Sequence, residues 1–194
     1  MAEHYYMNKI RLFFTLAMIC FPFTAHLQKQ DLDPNEHIYQ LPFEKGKKVL
    51  LMQGYKGRFS HKDKYALDFR LRKGKIAYAA RGGTVTKVVQ NNTEGGPRKK
   101  YLSKGNHVII DHGDDTYGAY WHLMKNGALV KKGDSVRTGD PVGKSGSTGY
   151  SSMAHLHFMV FKYDTHGHRI TIPTKFHTSK GIRELKSYRM YRHP

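Results

Sequence analysis

Past residue 40 the chain is a succession of short apolar runs, each closed within a few residues by glycine, asparagine or aspartate, with no sustained helical periodicity beyond residue 30. Runs at 48–53, 65–71, 76–79, 83–89, 107–111 and 116–123 are strand-length, and the turn residues 112–115 make the last two a hairpin. The segment 91–105 is polar and glycine-containing, as in an exposed loop. Two segments echo each other: 73–85 and 132–143 both run from a Lys-Gly turn through a short strand to a second glycine turn. This pattern predicts an all-β, mainly antiparallel fold, a small barrel or sandwich. An apolar fraction of 39% and 19 glycines fit such a loop-rich β protein better than a helical bundle. At 194 residues the chain can hold one domain with a substantial core but not two large ones.

The N-terminus has a different grammar. Lys9 and Arg11 precede an apolar run over 12–25 that has signal-peptide length and is short for a membrane span. Residues 1–25 therefore read as a signal peptide, 26–40 as a polar segment, 41–175 as the domain and 176–194 as a basic C-terminal extension. The one cysteine, Cys20, lies in the apolar run, and Ala17-Met-Ile before it lacks the small residue that lipidation requires next to the cysteine. A mature chain would then carry no thiol, no disulfide and no membrane span, so a metal site would rely on histidine and carboxylate. Export to the periplasm or cell envelope is expected, with a monomer as the default state. The formal net charge of +18 points to a polyanionic surrounding, and outside the cytoplasm a cell wall or an anionic outer surface is expected rather than nucleic acid.

The loop Gly143-Lys-Ser-Gly-Ser-Thr-Gly-Tyr150 leads into a strand bearing His155 and His157 one residue apart. Strand alternation turns both imidazoles to one face and Leu156 and Phe158 to the other. His166 and His168 share the spacing, but Gly167 and the turn composition around them mark a surface loop. Asp68 interrupts an apolar run, where a buried charge is costly without a partner or metal. Asp63 competes with it but lies in the charged run Lys62-Asp-Lys64. His61, Asp68 and His157 make a set of two histidines and one carboxylate, which leaves a zinc position open for water as in hydrolytic sites. His122 and His155 are then free to act on that water and on the transition state.

His61-x6-Asp68, Tyr120-Trp-His122-Leu and Gly146-Ser-Thr-Gly…His155-Leu-His157-Phe stand in the order found in the M23 metallopeptidases. Over about residues 41–175 the chain resembles this family of LytM- and lysostaphin-like peptidoglycan endopeptidases. The resemblance implies one Zn2+ ion at His61, Asp68 and His157, with His122 and His155 as catalytic histidines. It also implies a β fold with a groove over the metal, walled by the loop at Ser147, Thr148 and Gly149. Tyr55, six residues before His61, stands like a tyrosine that supports the transition state in some relatives. Two features depart from the family: the His-to-Asp spacing exceeds the short form, and Met159 stands where many relatives have glutamate.

The activity implied is zinc-dependent hydrolysis of the peptide cross-links of peptidoglycan. The alternative is a non-catalytic module of the same family that binds the wall or activates a separate amidase. Such modules lack one or more metal ligands, whereas all five expected positions are filled here. Nucleic-acid binding rests on charge alone, with no base-stacking motif behind it, and is not expected.

Overall fold

Burial alternates along the apolar runs, which is why they settle as strands with one face in a core. Val49, Leu51, Leu156 and Phe158 face inward while their neighbours are more exposed. Each large apolar side chain buried in this way contributes about 1.5–3 kcal/mol. A computed structural model describes residues 37–194. The expected signal segment, Cys20 and residues 26–36 of the polar segment lie outside the described residues.

The strands are β1 (Ile38–Gln40), β2 (Lys48–Gln53), β3 (Ala66–Phe69), β4 (Ile76–Tyr78), β5 (Gly83–Val89) and β6 (Gly95–Gly96). A 3-10 turn at Lys99–Lys104 precedes β7 (Asn106–Asp111), β8 (Tyr117–Ala128), β9 (Ser135–Val136), β10 (Pro141–Ser145) and β11 (Gly149–Tyr150). There follow β12 (Leu156–Tyr163), β13 (Arg169–Thr171), β14 (Lys175–Thr178), β15 (Gly181–Arg183) and β16 (Arg189–Arg192). The main sheet runs β16-β2-β3-β12-β8-β7-β5-β9, with β10, β4 and β13 branching from it. Its pairings are antiparallel, and β1–β14 and β6–β11 form parallel pairs outside it. The predicted antiparallel β class is present, but the sheet does not close as a barrel: β16 and β9 end its pairing path.

The echoed segments pair with each other, β4 with β10 and β5 with β9. Their Lys-Gly turns both need left-handed backbone, at Gly74 (φ 82°) and Gly133 (φ 95°). One core cluster joins Phe69, Tyr120 and Phe158 to Tyr39, Phe176, Leu185 and Tyr191. The packed body thus reaches beyond 41–175 on both sides. The expected extension closes the core and supplies the edge strand β16. No helix among the described residues is long and apolar enough to cross a membrane.

Candidate metal centre

A row of polar side chains crosses five neighbouring strands. Gln53 on β2 pairs with Asp68 on β3, Asp68 with His157 on β12, His157 with Trp121 on β8, and Trp121 with His107 on β7. Directly paired residues share a sheet face with Cβ atoms about 5 Å apart, so strand register alone puts carboxylate against imidazole. His61 joins from the loop before β3, and His155 from an isolated bridge with Gly146 just ahead of β12.

His122 reaches the row by a break in register. Asn106 pairs with Leu123 but His107 with Trp121, so His122 is an extra residue on β8, the signature of a β-bulge. Regular alternation would put His122 on the core side with Tyr120. Instead its backbone is left-handed, φ 65°, a conformation costing about 1–2 kcal/mol in a residue with a side chain. Thr148 secures the kink. Its hydroxyl accepts the Asn106 N–H (3.0 Å) and donates to the Leu123 carbonyl (2.7 Å), while its own carbonyl accepts Nδ1–H of His122 (2.7 Å).

Two convergent donor sets result, His61–Asp68–His157 and His122–His155–His157, sharing His157. In the first, His61 Nε2 lies 3.2 Å from Asp68 Oδ2 and 3.2 Å from His157 Nδ1, and that nitrogen is 2.8 Å from Asp68 Oδ1. Ligands about 2.0–2.2 Å from a tetrahedral zinc sit roughly 3.3 Å from one another, and the separations here come near that, with the carboxylate meeting the two imidazoles through different oxygens. The tautomer fits too. His61 Nδ1–H donates to the Gly54 carbonyl (3.0 Å), which leaves the Nε2 lone pair directed at its partners. His61 is fully buried, while His157 keeps 18% of its side chain exposed and marks the open side.

Burial disfavours charge on Asp68, yet hydrogen bonds from His155, His157 and His61 hold its carboxyl well below the usual carboxylate range. His122 is the opposite case: burial, reinforced by neighbouring His155 and His157, pushes it down to about 3. Burial also opposes a charged His155, but the bond to Asp68 outweighs it and raises the group. The His122 and His155 rings lie 4.6 Å apart, each holding its Nδ1–H on a backbone carbonyl, Thr148 and Met153 respectively. Both Nε2 atoms turn toward the site, that of His155 lying 3.5 Å from Asp68 Oδ1.

The structure therefore brings His61, Asp68, His122, His155 and His157 together, and leaves Asp63, His166 and His168 exposed. Tyr55 faces elsewhere: its hydroxyl bonds Thr174 (2.7 Å to Oγ1), its ring meets Tyr65 edge-on, and burial lifts the phenol to about 12. Of the groove residues, Ser147 is half-buried, while Thr148 and Gly149 are buried, with Thr148 committed to the bulge. Gly149 sits at φ 79° with an added Cβ only 2.6 Å from Gly105 Cα, so no other residue fits between these loops. Met159, in the usual glutamate position, packs on the outer apolar cluster of Ile109, Ala119 and Phe161.

Sequence reasoning missed Gln53. Its amide donates to Asp68 Oδ2 (3.1 Å) and Ser60 Oγ (2.8 Å), and its oxygen accepts the Phe59 N–H (3.0 Å). It orients the carboxylate and folds the loop that carries His61. By alternation Gln53 shares a face with Leu51; a register shift between the two turns it to the site.

The family model described as Peptidase family M23 matches residues 62–170. The chain belongs to peptidase family M23. Asp68, His122, His155 and His157 lie within the match, and His61 stands one residue before it. An uncharacterized metalloprotease of Buchnera aphidicola is 43% identical over 60 residues, 31% of this chain and 15% of the relative. The peptidoglycan DD-endopeptidase ShyA of Vibrio cholerae is 46% identical over 54 residues, 28% of this chain and 12% of ShyA. The chain thus spans a small part of these relatives. The catalytic domain of the prophage-encoded M23 protein EnpA from Enterococcus faecalis, solved as a mutant, shares the fold. It superposes with a TM-score of 0.51 at 23% identity, covering 67% of this chain and 93% of that one.

Proposed function

We propose that this M23 member is a zinc metalloendopeptidase that hydrolyses the peptide cross-links of bacterial peptidoglycan after export to the cell envelope. One observation supports the reading: two donor sets converge on His157, one closed enough for a metal and the other made by His122 and His155, whose Nδ1–H groups are held on backbone carbonyls so that their Nε2 atoms turn toward the site. ShyA, a peptidoglycan endopeptidase by name, supports the substrate class. Zinc held by His61, Asp68 and His157 would supply an activated water and polarise the scissile carbonyl.

The chain's own residues do the rest. Gln53 and the Gly54 carbonyl hold Asp68 and His61 in place before substrate arrives. One of His122 and His155 takes the proton of the attacking water at Nε2, and the other, protonated, donates to the developing oxyanion. Backbone carbonyls fix both rings, so neither reorients during the reaction.

Metal analysis of the purified protein with a cross-link peptide assay tests this. One zinc per chain is expected, lost in Asp68→Ala. His122→Ala should keep zinc while turnover falls about 10²–10⁴-fold, the scale of a lost acid–base group. Unchanged turnover in that variant would refute the role of His122.

A further inference from the structure

A groove of about 460 Å³ lies between the β14–β15 hairpin, β16 and the start of β2. Six cations line it, Lys48, Lys180, Arg183, Lys186, Arg189 and Arg192, against the single carboxylate of Glu184. All six are exposed, and none forms an ion pair with a carboxylate among the described residues. Every one of them lies outside 62–170, so the groove is not part of what the chain shares with its family model.

Charge on an edge strand alone would be ordinary, since it blocks edge-to-edge pairing. Two features exceed that need. The hairpin and β2 contribute cations as well as the edge strand. And Arg192 pairs directly with Lys48, setting like charges side by side, an arrangement that costs stability unless an anion sits between them. The walls are fixed. Ser179 N–H donates to the Arg192 carbonyl (3.0 Å), the Tyr191 hydroxyl accepts the Lys186 N–H (2.7 Å), and Arg192 donates to the Gly46 carbonyl (2.8 Å).

We infer that this groove is a docking surface for a linear phosphate-bearing polymer of the cell envelope, which holds the enzyme on the wall beside its cross-links. The choice of an envelope polymer rests on the wall-directed function proposed above. Phosphate rather than nucleobase is the recognised chemistry: guanidinium and ammonium groups line the groove, and its one aromatic, Tyr191, is buried and cannot stack on a base.

Binding of the full chain to poly(glycerol phosphate) across a salt series tests the inference. Replacing Arg183, Lys186 and Arg189 together by glutamine should weaken binding at least tenfold. It should also flatten the slope of log K against log salt by about 2, from roughly 0.7 per lost cation. Glu184→Gln should tighten binding, a gain that misfolding cannot imitate. Glutamine at Lys73, Lys131 and Lys132 removes the same charge elsewhere and should change little. An equal loss in that control, an unaltered slope in the groove variant, or tenfold tighter binding of an oligonucleotide of matched charge would overturn the proposal. Cleavage of a soluble cross-link peptide should be untouched by the groove variants. Failure of the wild type to cleave it would count against the catalytic reading alone.

Discussion

His122 is the residue on which fold and chemistry make opposite demands. Its left-handed backbone is a cost to folding, accepted because the bulge is what turns an otherwise core-facing imidazole toward His155 and His157. The strain is measurable. In an ordinary strand position alanine is more stabilising than glycine, but here His122→Gly should be the more stable of the two truncations by about 1 kcal/mol, read from denaturant midpoints. If His122→Ala were the more stable, the left-handed conformation would be disproved. Both variants should lose turnover to a similar extent, because neither supplies an imidazole.

At the scale of elements, two kinds of placement coexist. Asp68 and His157 meet because β3 and β12 pair in register, and that much was legible in the sequence: an aspartate inside an apolar run and a His-x-His strand both announce a polar row on one face. The β class and the 112–115 hairpin were legible for the same reason, since alternation and turn residues are local signals. His122 and Gln53 arrive by register shifts, which follow from long-range packing and have no period-two signature. His122 was found through its motif; Gln53, with no motif, was missed. Thr148 shows how a loop becomes part of this machinery, since its hydroxyl replaces ladder bonds that the bulge removes. Thr148→Val keeps the volume and deletes that hydroxyl. It should cost about 1–3 kcal/mol for the stranded backbone groups and lower turnover while zinc stays bound. Full activity with unchanged stability would mean the bulge holds itself.

The whole molecule carries a pH dependence that does not involve the metal centre. Burial pushes His107, His112 and His193 below their ordinary value, with only partial compensation from the carbonyls of Gly105, Gly82 and Phe43. A group whose folded pKa is depressed favours the unfolded state as it takes up a proton. The stability from these histidines is thus fully present above the unfolded value, about 6.5, and is lost as pH falls below it. Chemical denaturation should show a decline below about pH 6.5, by up to about 1.4 kcal/mol per pH unit for each proton taken up on unfolding. The decline should be shallower in His112→Gln. An unchanged slope in that variant would show that His112 is not held neutral in the fold.

The candidate metal centre on β3 and β12 and the cationic groove at β16 and β2 lie on one sheet. The proposed role of the first is to cut wall cross-links. The most direct measurement is mass analysis of the muropeptides released when purified sacculi are digested with the wild-type chain and with Asp68→Ala. Cross-linked dimers should fall and monomers rise with the wild type, while the variant leaves the dimers intact. Equal muropeptide profiles for the two proteins would contradict it.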